Sequence, residues 1–111
     1  MAEPELVPLP ELAVAMGSDV LKVRQLLRDG SLVGLRGEDG VLRVPARFVD
    51  DGRIVKHLPG VITVLRDNGY ADDEAIGWLF ADDDTLPGSP IDALRANRGS
   101  EVKRRAQALG W

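Results

Sequence analysis

The sequence predicts a mainly α chain of the α+β class: two short helices, then a β-hairpin, then four further helices. Three observations carry that prediction. Apolar residues recur at three- and four-residue spacing from Leu9 onward and again from Val61 to Leu109. Between these stretches, two short β-prone runs flank the turn Gly37-Glu38-Asp39-Gly40. Glycines and serine-proline pairs then punctuate the helical segments where starts and stops are needed.

Residues 1–8 carry prolines at 4 and 8 and few apolar anchors, so a flexible acidic leader is expected there. From Leu9, the residues Leu9, Leu12, Ala13 and Met16 line one side of a helix whose first turn accepts Pro10. Gly17 can adopt the positive φ that stops this helix, and Ser18 is placed to cap the next. That second helix, from about Asp19 to Asp29, turns Val20, Val23, Leu26 and Leu27 inward and Lys22, Arg24, Gln25 and Arg28 outward, with Leu21 among them. A small Ala13, the hinge at Gly17 and Val23 plugging the angle together read as a helix-turn-helix. The same spacing would also serve an ordinary helical hairpin in a core.

Asp29-Gly30 ends the second helix, and Ser31 to Arg36 with Val41 to Pro45 form the hairpin. A hairpin directly after a helix-turn-helix is a wing, with Arg36 and Arg43 flanking its tip. Pro45 to Val49 reads as a further helical turn that returns Phe48 to the core. Asp50-Asp51-Gly52 is a turn, and residues 53–59 form a connector containing Ile54-Val55. Beyond it, Val61, Ile62 and Leu65 line one helix, which Asn68-Gly69 ends. Asp72 or Asp73 is expected to cap the next, with Ala75, Ile76, Leu79 and Phe80 inside and Trp78 off that stripe. Ser89-Pro90 and Asp92 give a near capping box for a third helix bearing Ile91 and Leu94. A last helix, about Ser100 to Leu109, should bury Val102, Ala106 and Leu109 and leave Lys103, Arg104 and Arg105 mostly outside. Trp111 is expected to cover the bundle end. The domains expected are thus a leader at 1–8, a winged helix-turn-helix at 9–58 and a helical domain at 59–111.

Composition narrows the function. The chain has 111 residues, 44% of them hydrophobic and 29% charged, which suits one modest core or two small subdomains sharing an interface. There is no membrane-length apolar run and no signal segment, so a cytoplasmic, nucleoid-associated protein is expected, without a membrane partner. With no cysteine, disulfides and thiolate chemistry are excluded. The single histidine, His57, has no partners at ligand spacing, and Asp82-Asp83-Asp84 lacks the alternating oxygen ligands of a calcium loop. No metal, no cofactor and no enzyme activity are expected, because no phosphate loop, nucleophile elbow or histidine-glutamate motif occurs.

The net charge of −4 opposes a nucleic-acid partner only until its distribution is considered. Residues 20–57 carry eight Lys/Arg against five acids, whereas residues 58–111 carry six against nine. Phosphate attraction acts locally once salt screens distant charge. The expected partner is double-stranded DNA, with the second helix in the major groove. Gln25 suits adenine, Arg24 or Arg28 suits guanine, and Lys22 suits a phosphate. With Ser18 before the helix and Arg36 and Arg43 on the wing, these are the candidate contact residues.

The segment from Leu9 to Phe48, with ELA, the hinge glycine, VRQLLRDG, LVGLR and LRVP, resembles the compact winged helix-turn-helix of excisionases and MerR-type regulators. Over nearly its whole length the chain is similar to a small actinobacterial family of winged helix-turn-helix DNA-binding proteins with a helical C-terminal domain. LKVRQLLRDG, VKHLPG, LRDNGY, WLF, LPGSPIDALR and EVKRRAQAL carry that likeness. It implies DNA binding through Lys22, Arg24, Gln25, Arg28 and the wing. The second half also resembles the toxin-binding module of Xre/MbcA/ParS-type antitoxins, through Trp78-Leu79, Leu86 to Leu94 and Gly99. The expectation is a DNA-binding transcriptional regulator or nucleoid-associated factor, with a homodimer or protein partner engaged through the C-terminal helices. The alternative is an antitoxin-like interaction module with weak or no DNA binding.

Overall fold

The computed structural model describes residues 4–86 and 88–109. The first three residues of the expected leader, Pro87 of the acidic loop, and Gly110 and Trp111 at the bundle end lie outside the described residues. In order, the elements are β1 (Leu6–Pro8), α1 (Leu9–Ala15), α2 (Val20–Arg28), β2 (Leu35–Arg36), β3 (Leu42–Pro45), a 3-10 turn (Ala46–Phe48), β4 (Val49–Asp50), β5 (Arg53–Ile54), α3 (Leu58–Asp67), α4 (Asp72–Phe80), α5 (Pro90–Arg95) and α6 (Gly99–Ala108). This is the predicted winged helix-turn-helix followed by four helices.

The turn between α1 and α2 forms as its residues dictate. Gly17, at φ +64°, donates its N–H to Val14, and Ser18 donates to Ala13. Both bonds satisfy carbonyls that the end of α1 would otherwise leave open. α2 starts one residue later than expected, and Asp19 in place of Ser18 is its cap. The Asp19 carboxylate accepts the Lys22 N–H at 2.9 Å. Val23 is fully buried and belongs to the same core cluster as Leu12 and Ala13 of α1.

The wing is a three-stranded antiparallel sheet in the order β1-β3-β2. Leu6 faces Pro45, Val7 faces Val44 and Pro8 faces Arg43 across one ladder, and Leu35 and Arg36 pair with Arg43 and Leu42 across the other. The expected leader is therefore corrected over Leu6–Pro8, which is an edge strand. Prolines at 4 and 8 do not prevent it, because an edge strand tolerates missing donors. The Ala46 N–H donates to the Glu5 carbonyl at 2.8 Å and extends this attachment. Part of the expected connector is likewise a strand: β5 pairs with β4 through a tight turn in which Asp51 and Gly52 both have positive φ.

In the second half, Ser89 caps α5 as predicted. Its hydroxyl accepts from Asp92 N–H while the Asp92 carboxylate accepts from Ser89 N–H. The expected cap of α4 is corrected. Ala71 occupies that position and Glu74 reaches back to its N–H at 3.0 Å, while Asp72 and Asp73 lie in the first turn, where carboxylates suit the helix dipole. Leu109 is also corrected: α6 ends at Ala108 and Leu109 remains exposed. Gly99, at the start of α6, has no room for a side chain, since a Cβ there would collide with the His57 ring. One continuous buried cluster joins Val7, Leu12, Val23 and Phe48 of the first half to Leu58, Ile62, Leu79, Ile91 and Val102 of the second.

Candidate nucleic-acid interface

α2 buries one stripe and exposes the other. Val23 is inside, with Val20, Leu26 and Leu27 half-buried around it. Lys22, Arg24, Gln25 and Arg28 are all exposed, as the helical period requires. Among the described residues none of the three cations has a carboxylate within ion-pair distance. Ser18 is exposed immediately before the helix. The structure thus brings five of the expected residues, Ser18, Lys22, Arg24, Gln25 and Arg28, onto α2 and its approach.

The two wing arginines differ. Arg36 is exposed and spends one N–H on the Gly40 carbonyl at 2.6 Å, which closes the turn. It lines a cleft with Arg24, Pro8, Leu9, Pro10, Gly40, Val41 and Leu42, so α2 and the wing share a concave surface with a guanidinium on each side. Arg43 is half-buried and paired with Asp39 in a fork, at 2.8 and 3.2 Å. That guanidinium, with the Val41 N–H donating to the same carboxylate, holds the Asp39 carboxyl down at about 2. Arg43 therefore fixes the shape of the turn. The cleft was not legible in the sequence, since it is assembled from residues at 8–10, 24, 36 and 40–42 that only the β1–β3 pairing brings together.

Several cations of the positive segment and beyond are occupied by protein. Arg47 pairs with Asp92 at 2.6 Å, and Arg95 donates to the carbonyls of Arg47 and Val49 at 2.7 and 3.1 Å, with Asp50 at 3.4 Å. The Ser89 N–H, first, and the Arg47 guanidinium hold the Asp92 carboxyl below its usual range. Arg105 reaches Glu101, Thr85 and Asp83, so the acidic loop is tied back to α6 in part, and the Thr85 hydroxyl and N–H lower Asp83. Arg105 is consequently half-buried, against the expectation that it lies outside. His57 is exposed and carries a left-handed backbone at the start of α3. No group of three or more metal-ligating side chains occurs among the described residues.

A helix-turn-helix hinge, a basic outward helix face, a wing beside it and a four-helix second half define a winged helix-turn-helix protein with a helical C-terminal domain. Two family models match the chain: "DNA-binding protein Rv2175c, wHTH domain" matches residues 1–49, and "Rv2175c C-terminal domain of unknown function" matches residues 55–110. The chain belongs to the Rv2175c family. It is 43% identical over 115 residues to DNA-binding protein Rv2175c of Mycobacterium tuberculosis (strain ATCC 25618 / H37Rv), covering 93% of this chain and 79% of that one. The NMR structure of Rv2175c superposes with a TM-score of 0.86 at 38% identity, over 100% of this chain and 84% of the other. No helix among the described residues is long and apolar enough to cross a membrane.

Proposed function

We propose that this chain binds double-stranded DNA, with α2 in the major groove and the β2–β3 wing against the flanking backbone, and acts as a transcriptional regulator or nucleoid-associated factor. The observation that carries this reading is the α2 face, where Lys22, Arg24 and Arg28 stand exposed without carboxylate partners beside Gln25. The name of the 43% identical relative, a DNA-binding protein, supports it. In this reading Arg24 and Arg28 fork onto guanines and Gln25 pairs with adenine. Lys22 and Ser18 hold phosphates, Arg36 reaches the backbone across the cleft, and Arg43 contributes through its hold on Asp39. The division of labour places DNA contact in residues 9–58 and self-association or partner binding in residues 59–111.

Anisotropy of labelled duplex DNA over a salt series tests the proposal, with the intact chain and with Arg24→Ala/Arg28→Ala. Affinity should fall steeply with salt, and the double variant should bind weakly with a shallower slope. Absent or salt-insensitive binding would favour the interaction-module alternative.

A further inference from the structure

We infer that Leu21 is a specificity-determining residue that reads the 5-methyl group of thymine in the major groove. This rests on the DNA-binding reading and adds to it a residue whose chemistry is apolar. Leu21 is 75% exposed, although it is the second residue of α2. At about 100° per residue it lies about 160° from buried Val23 and within about 60° of Arg24, Gln25 and Arg28. It is therefore near the centre of the outward face, with Gln25 one turn further on and Arg28 two turns further on. The N-terminal residues of a groove-docked recognition helix are those nearest the base edges.

A leucine at that point gains nothing in the free protein, since it leaves a branched aliphatic group in water among cations. In the major groove the one apolar feature of a base pair is the thymine methyl, and an aliphatic side chain flanked by hydrogen-bonding neighbours is its complement. The neighbouring guanidinium and amide groups would hold the helix by phosphate and base contacts, while Leu21 covers the methyl and excludes water from it. Covering one methyl group is worth about fourfold in affinity.

The test uses two random-core 20-base-pair duplex pools of the same sequence distribution, one synthesised with thymine and one with uracil, which lacks only the methyl. Each pool is taken through selection by the intact protein, and the thymine-selected winners are remade with uracil at single positions. The intact chain should bind the thymine form about fourfold more tightly at one or two positions, and Leu21→Ala should bind both forms alike. Tight binding with no thymine preference overturns this inference and leaves the DNA-binding reading in place. So does a preference that persists in Leu21→Ala. Failure of both pools to bind overturns both readings. Sedimentation showing that Leu21→Ala abolishes a self-association would assign the leucine to a second copy of the chain and likewise overturn the inference.

Discussion

The arginines of α2 and those at the seam between the two halves are chemically identical and stand in opposite surroundings. Arg24 and Arg28 are exposed and have no carboxylate partner among the described residues, whereas Arg47 and Arg95 cross the seam to Asp92, Asp50 and two backbone carbonyls. The seam arginines are neutralised locally and serve cohesion. Those of α2 keep their field directed outward, where a polyanion can release its counterions on meeting them. A net charge of −4 averages these two populations and conceals both. What distinguishes a binding cation from a structural one is its partner, which only the fold discloses.

The strongest way to break this contrast is to remove the α2 arginines singly. Arg24→Ala and Arg28→Ala should each lose roughly tenfold to a hundredfold in DNA affinity, about 1–3 kcal/mol, by anisotropy. Thermal unfolding should be unchanged for both, and a lowered midpoint would show that α2 carries structural cations too. Arg95→Ala should show the reverse, with stability falling by about 1–3 kcal/mol in urea unfolding, because the part-buried Val49 carbonyl and the exposed Arg47 carbonyl both lose their donor. Its DNA affinity at saturating folded fraction should match that of the unaltered chain. Asp92→Ala should cost about 1 kcal/mol by removing the capping box of α5 along with the partner of Arg47.

The smallest effect concerns pH at the wing tip. Asp39 has a folded pKa of about 2, below its unfolded value near 4. Its contribution to the turn is therefore complete above about pH 4 and is lost as pH falls through 2. A carboxyl-carbon NMR titration of Asp39 should show that low midpoint in the unaltered chain and a higher one in Arg43→Ala, where only the Val41 N–H still favours the carboxylate. The same midpoint in both would mean that Arg43 does not hold the Asp39 carboxylate.

Much of the first half was legible because its signals are local. The hinge at Gly17, the inward Val23, the four-residue turn at Gly37 to Gly40 and the return of Phe48 each depend on residues within a helical turn or two. The cap of α5 was legible for the same reason. Long-range pairing was not. β1 is three residues with a proline, and it becomes a strand because β3 offers it a ladder some 37 positions away in the chain. The Asp19 cap was missed because Ser18 and Asp19 are adjacent and both side chains suit a cap, so residue type alone does not choose between them. The outward face of α2 followed from periodicity, but the pairing of Arg43 with Asp39 and the cleft between Arg24 and Arg36 required the sheet to be built first.

The attachment of β1 bears on how the molecule tolerates trimming. Pro8 is at once the last residue of that strand and the residue from which α1 departs, so the hinge pair of helices is anchored to the sheet at its origin. Deleting residues 1–8 as though they were a dispensable tail would unfasten the central strand on one side and let the two halves of the interface drift relative to each other. Much of the orientational entropy that folding has already removed would then have to be lost again on every encounter with a duplex.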